Sequence, residues 1–427
     1  MRRPDERIAE HRGSLLATLP VATFLSYLAI AVVEFAVPFV AVSQLGAGAL
    51  VVAILGICRF APQVLLAGLA ARVVDAHDQR FVMLSAEVSR AVAFAGVAAA
   101  LLLPDGASLV AFGAASVVMA WASTLTAVSI QVLVPFAFSG ASLRGVYSRL
   151  SIAESLGDGT GPFVAGLGLA ALTAPSAFGV SAALAAVACV LLVRVPRIRT
   201  SASHADADAE PEPDSGAAGG PTRRAGIRQG LMTNLRSRPL AILMLWAVAY
   251  NLGQSVIEPL ILVSLLDSTP LTAASYGIIR GGTVLLAVVG AALASRLPAS
   301  LRNGRGVAVF GCTAIGSYLL VGVGAAVGGA VGLGVTVAGF ALDELSSGVV
   351  LVLISTYRGR AIPLRDRANA TAAYRSACIA AVPVGLLIGG AAGSVVETSV
   401  VMLIVGAAMA LAGVPLLLRP VRRITID

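Results

Sequence analysis

Lysine is absent from this 427-residue chain, and all 30 basic residues are arginine. Arginine keeps its charge, so in any buried ion pair the carboxylate must be the titrating member. Charged residues of both signs make up only 12% of the chain, against about a quarter in a soluble protein. Histidine is scarce as well: His11, His77 and His204 all fall outside the apolar runs, in segments predicted to be cytoplasmic. That excludes a histidine proton relay within those runs. The four cysteines (Cys58, Cys189, Cys312, Cys378) are isolated inside hydrophobic segments, with no CxxC or metal-ligand spacing. They read as small buried apolar residues, and no metal or cofactor is expected. There is no nucleophile–base set and no phosphate-cradling loop. Gly-rich stretches such as Gly328-Gly329 lack a strand–helix context, so enzymatic chemistry is not expected.

What is present is hydrophobicity: 58% apolar residues and a mean hydropathy of +0.91. The apolar runs are about 20 residues or longer, enough to cross the bilayer as helices. Barrel strands would be shorter and would alternate apolar with polar. Spans are predicted at 14–42, 48–71, 81–103, 107–130, 147–172, 176–195, 239–265, 272–295, 306–328, 331–356, 368–392 and 398–418. The connections between them alternate in charge. One set carries every loop arginine, including Arg72/Arg80, Arg144/Arg149, Arg194 to Arg238, Arg296/Arg302/Arg305 and Arg358 to Arg367. The other set, such as Ser43–Gly48, Pro104–Ala107 and Gly393–Thr398, carries none. Basic loops stay on the cytoplasmic side, which places both termini in the cytoplasm of a cell whose inner membrane the chain crosses about twelve times. No cleavable signal is apparent, and the first span is expected to serve as an uncleaved anchor. The net charge of +8 then meets anionic lipid head groups, and nucleic acid is not an expected partner.

The two halves repeat. Leu143-Arg144 and Pro162 have the same spacing as Leu364-Arg365 and Pro383. Gly56-Ile57-Cys58-Arg59 matches Gly277-Ile278-Ile279-Arg280, and Glu34 matches Glu258. The expectation is an all-α membrane protein of two pseudo-symmetric six-helix bundles, residues 1–196 and 238–427, joined by a linker over 197–237. Within that linker Ser201–Gly220 has almost nothing to bury and reads as disordered. Thr222–Ser237 reads as a short helix on the membrane surface. A six-plus-six repeat with a long central loop is a transporter plan, with a small-molecule substrate bound between the halves near the midplane.

Charged side chains inside the membrane need a partner or a task. Glu34 and Arg59 lie at similar depth, about 10–15 Å below the outer surface at 1.5 Å rise per residue, and Glu258 and Arg280 repeat the arrangement. Two ion pairs are therefore expected, either bracing neighbouring helices or exchanging the arginine for a proton or cationic substrate. Toward the inner side, Glu154 and Asp158 stand one turn apart on the fifth span. Asp343 and Glu344 lie on the tenth, and Arg375 on the eleventh at a depth where it could pair with Glu344. Glu154, Asp158 and Asp343 are candidates for a titrating carboxylate, with Glu154 also readable as a near-surface charge. Asp75, Arg80, Glu87 and Arg90, around the second connection, could form a cytoplasmic latch. In the fifth span, Gly157, Gly161, Pro162 and Gly166 allow close helix approach and a bend, which ordinary membrane-helix packing would also explain.

With these motifs the chain resembles the major facilitator superfamily over nearly its whole length. Asp75 and Arg80 match the aspartate and final arginine of that family's G-x-x-x-D-R-x-G-R-R loop, while Ala71, Ala76, Asp78 and Gln79 depart from it. Asp78, and Arg59 followed by Pro62, are similar to the branch of enterobactin and macrolide exporters. Gly157, Gly161, Pro162 and Gly166 resemble the antiporter signature of drug exporters, with Ala165 replacing one glycine. The resemblance implies a monomeric carrier that exports a small amphipathic compound against inward proton flow. It lines the cavity with spans one, four, seven and ten, which carry Glu34, Trp121, Asn251, Gln254, Glu258, Asp343 and Glu344. A symporter of the same fold, and a membrane protein that transports nothing, are the alternatives.

Overall fold

The computed structural model describes residues 4–103, 105–138, 140–195, 221–269 and 271–425. Every long element among them is a helix, because hydrocarbon offers no partner for a backbone N–H or C=O and a helix satisfies these within itself. The order is α1 (Pro4–Ser43), α2 (Ala49–Leu65), α3 (Ala67–Ala76), α4 (Gln79–Ala100), α5 (Asp105–Ala137), α6 (Gly140–Ala171), α7 (Ala174–Leu192), α8 (Pro221–Arg236), α9 (Arg238–Ser268), α10 (Ala273–Ala294), α11 (Gly304–Val327), α12 (Gly329–Ala361), α13 (Leu364–Gly393), α14 (Thr398–Gly413) and α15 (Arg419–Arg422). Ten of these helices are long and apolar enough to cross a membrane, and α2 with α3 makes an eleventh if the bent pair is one span. The 32 residues of α6, about 48 Å at 1.5 Å per residue, are also of spanning length. The expected all-helical membrane architecture is therefore present.

The differences in detail have physical causes. The second span, expected to be continuous over 48–71, bends by 56° between α2 and α3. Leu66 supplies the corner, with φ −98° and ψ 0°, outside the helical well. Several helices run past their apolar stretch: α12 continues through Arg358 and Arg360, where basic side chains suit a helix C-terminus. Start signals are local. Asp78 caps α4 by accepting from the Phe81 N–H, and Asn303 caps α11 by accepting from the Arg305 N–H. The turn from α11 into α12 needs φ of 66° at Gly328 and 60° at Gly329, a conformation that costs glycine nothing. Ser201–Gly220 lies outside the described residues. The linker helix exists as α8. It packs on α13, with Gly230 against the Asn369 backbone, leaving no room for a Cβ.

The chain forms two compact units. The first takes the chain up to Ala41, continues from Cys58 to the linker, and includes Thr272–Ile278. The second takes Val42–Ile57, then α8 to Leu271, then Ile279 onward. The first unit has an apolar core of Leu15, Leu19, Met83, Leu133 and Leu150, each at most 2% exposed. Two glycine crossings tie it together: Gly157 and Gly161 of α6 against Tyr27 and Ala31 of α1, and Gly166 against Gly277. In the second unit α9 packs on α13 and α14, and α11 on α12 and α14. There Gly390 of α13 meets Ala53 of α2, so small residues again set where backbones touch.

Candidate functional site

In the first unit two carboxylates inside the membrane, Glu34 and Glu87, meet arginines. Arg59 of α2 places Nη2 2.6 Å from Oε2 of Glu34 on α1. The pair is about a quarter exposed, at 26% for Arg59 and 23% for Glu34. Arg59 also stacks over Phe60, 4.6 Å from the ring centroid. Glu154 of α6 accepts a hydrogen bond from the Tyr27 hydroxyl of α1. Asp158, one turn further along α6, is exposed and lies within the electrostatic reach of Glu34, Arg59 and Glu154. These residues therefore belong to one group, spread over α1, α2 and α6.

Glu87 and Arg90 form a second pair within α4, with exposures of 0% and 1%. Ser26 of α1 donates to Glu87 Oε1 at 2.9 Å, and Arg90 Nη2 donates to Thr126 Oγ1 of α5 at 3.3 Å. This pair ties three helices together, and it stands apart from the loop residues of the expected latch. Asp75 is exposed, Arg80 is half-buried, and no ion pair joins them among the described residues. Asp78 spends its carboxylate on the α4 cap. Trp121 of α5 is half-buried against the cluster of Ala70, Val74, Val82, Ala86, Ala122 and Leu125.

In the second unit a carboxylate is held by hydroxyls. Asp343 of α12 is 2% exposed. The Tyr250 hydroxyl of α9 donates to its Oδ1 at 2.6 Å, and the Tyr318 hydroxyl of α11 donates to its Oδ2 at 2.8 Å. An aromatic chain frames the clamp: Trp246 stacks on Tyr250 at 5.4 Å, Tyr250 meets Tyr318 edge-on at 6.1 Å, and Tyr318 meets Phe340 edge-on at 6.4 Å. Arg280 of α10 lies over Phe340, 5.2 Å from its centroid, and acts electrostatically on both Asp343 and Glu344.

Two expected pairs do not form among the described residues. Glu258 is exposed on α9 beside Pro259 and is not paired with Arg280, whose guanidinium faces α12. Arg375 is exposed on α13 and is not paired with the half-buried Glu344. For Glu258 and Arg280 the depth matches but the helix face does not. Asn251 and Gln254 are half-buried on α9, and Asn251 donates to its own helix at Ala247 O. Tyr27, Tyr250 and Tyr318 were missed in the sequence. The available signal was a tyrosine within a span, whose hydroxyl must find a partner when buried.

A membrane protein with about a dozen spans, a six-plus-six repeat and buried charges has the plan of a solute carrier. The family model of the Major Facilitator Superfamily matches residues 21–342, and the chain belongs to that family. Among solved structures it is similar to a mutant form of the nucleoside transporter NupG, with a TM-score of 0.71 at 14% identity, over 94% of this chain and 99% of that one. It is also similar to a bacterial homologue of the iron transporter ferroportin in its inward-facing state, with a TM-score of 0.69 at 16% identity, over 94% and 98%. A bacterial homolog of the human lysosomal transporter Spinster gives 0.62 at 12% identity, over 98% and 96%. These likenesses concern the fold alone. No curated protein sequence matches the chain.

Proposed function

We propose that this transporter exports a small amphipathic compound in exchange for protons, as a monomer whose halves, residues 1–196 and 238–427, alternate access across the inner membrane. Asp343 is the proton site. The observation that carries this assignment is a carboxylate at 2% exposure whose direct partners are two neutral tyrosine hydroxyls. A proton added there removes a buried charge without breaking a direct ion pair among the described residues. The carboxyl then offers one donor and keeps an acceptor, and tyrosine hydroxyls can rotate to match. Arg280 and Glu344 adjust the field around the site, so substrate arrival near them would bias its protonation.

The direction rests on the α6 motif. Gly157, Gly161, Pro162 and Gly166 resemble the antiporter signature, and both Gly157 and Gly161 sit at a backbone crossing with α1. Asp78, Arg59 and Pro62 favour the enterobactin and macrolide exporter branch. The excess of acid in the first unit, Glu34, Glu154 and Asp158 around Arg59, favours a neutral or cationic ligand. The arginine distribution supports a topology with both termini in the cytoplasm.

The test uses proteoliposomes loaded with a pH-sensitive dye, a proton gradient, and a panel of amphipathic drugs, dyes and siderophore-like compounds. Proton movement that depends on a compound and runs opposite to it is the expected result. Movement in the same direction replaces export with symport. Silence across a broad panel removes proton coupling from the reading.

A further inference from the structure

Helix α6 presents two exposed flanks on either side of its contact with α1. Gly157 and Gly161 mark that contact. Ser148, Ser151, Ser155 and Asp158 recur at helical spacing on one flank, all exposed. Arg149, Ile152 and Leu156 recur on the other, with Ile152 at 56% and Leu156 at 52% exposure. In a membrane helix, exposed hydroxyls and a carboxylate belong to an aqueous path. Exposed isoleucine and leucine belong to lipid. The Ile152 flank is therefore the lipid side.

On that flank a groove of about 330 Å³ opens between α1 and α6. Its walls include Pro20, Val21 and Phe24 of α1 and Ile152 and Leu156 of α6, and its only charged side chain is Arg149. Arg149 is the first of the lining residues on α6, and Leu16 is the first on α1. The apolar part of α1 begins at Leu15, so this end of the groove sits at the bilayer boundary. From Leu16 to Phe24 the walls then run about 12 Å along α1.

We infer that the groove binds an anionic phospholipid, with one acyl chain along the apolar walls and the head-group phosphate on Arg149. A cation at the boundary end of a hydrocarbon slot matches that amphiphile at both ends. A guanidinium meets phosphate with two parallel hydrogen bonds. A zwitterionic lipid fills the slot equally but brings no net charge to Arg149. The site is independent of transport direction and of Asp343.

The test is native mass spectrometry of the full-length protein, equilibrated with equal phosphatidylglycerol and phosphatidylcholine. The unmodified protein is expected to retain phosphatidylglycerol over phosphatidylcholine by about fivefold, the value of one surface cation. Arg149→Gln should bring the ratio close to parity while leaving total bound lipid unchanged. Ile152→Trp, at an exposed position that tolerates a larger ring, should reduce retention of both lipids. Arg302→Gln, an exposed arginine at another site, should change neither quantity. A preference that survives Arg149→Gln, an equal loss in Arg302→Gln, or full occupancy in Ile152→Trp would each overturn the assignment.

Discussion

The two halves share a sequence repeat but hold most of their buried charge differently. In the first unit Glu34 faces Arg59, and Glu87 faces Arg90. In the second, Asp343 faces two hydroxyls, and Arg280 faces the ring of Phe340. Protonating either glutamate would leave a guanidinium inside the membrane without its counter-charge, an expensive state. Protonating Asp343 breaks no direct ion pair among the described residues. The two units thus differ: Arg59 and Arg90 face carboxylates directly, whereas Asp343 bonds to hydroxyls and is, under the proposed function, the carboxylate that changes charge. Glu154, bonded to the Tyr27 hydroxyl, is the exception in the first unit.

The most direct way to break this contrast is Asp343→Asn. The amide preserves shape and can still accept from one hydroxyl, but it cannot take up a proton. Proton-driven transport in proteoliposomes should fall to the level of empty vesicles, while exchange of labelled for unlabelled substrate persists. Persistent proton-driven accumulation would move the proton site to the first unit.

Next in size is Glu87→Gln. Removing one member of a pair at 0% and 1% exposure leaves Arg90 buried and uncompensated, at a cost of about 3–5 kcal/mol. Thermal unfolding of the purified protein should show a large drop. Replacing both members together, as Glu87→Leu with Arg90→Met, should recover most of it, since an apolar pair of similar volume is often neutral. If the single change is silent, the pair is not the brace across α1, α4 and α5 that its contacts describe. Glu34→Gln is the milder companion. Its pair is about a quarter exposed, and water screens what the substitution removes, so about 1 kcal/mol or less is expected.

The tyrosines sharpen the comparison further. Tyr250→Phe and Tyr318→Phe each delete one hydrogen bond to a charged group, worth about 1.5–3 kcal/mol. Each should shift the pH at which transport is half-maximal, because each alters the charged and neutral forms of Asp343 unequally. The matching deletion in the first unit, Tyr27→Phe, should leave that midpoint where it is.

How much of this was legible in the sequence follows from what each signal measures. Long apolar runs and arginine-free connections report the cost of placing polar groups in hydrocarbon, and that cost acts on every span. The spans were therefore readable. Depth along a helix is likewise a matter of counting, and it brought Glu34 and Arg59 together. The direction a side chain faces is not. Glu258 and Arg280 match in depth, yet Glu258 is exposed while Arg280 turns toward α12. Nor do opposite charges mark Tyr250 and Tyr318, whose hydroxyls are neutral. The 56° bend after α2 had no distinct mark, since Pro62 lies four residues before the corner and prolines inside other helices leave them unbroken.

The smallest expected effect is at Glu258, and it bears most directly on the repeat. By sequence Glu258 is the counterpart of Glu34, so a functional repeat would make the two substitutions equivalent. By structure they differ: Glu34 holds Arg59 at 2.6 Å, while Glu258 is exposed and not joined to Arg280. Removing the charge of an exposed side chain leaves no buried partner behind. Glu258→Gln should therefore leave thermal stability within about 0.5 kcal/mol, as surface substitutions generally do, and should leave the proton-to-substrate ratio unchanged. A changed ratio would show that Glu258 acts in a conformation other than this one. The two halves would then exchange roles during the cycle, and the contrast between paired and titrating charge would describe one state of the transporter and not a fixed division between its halves.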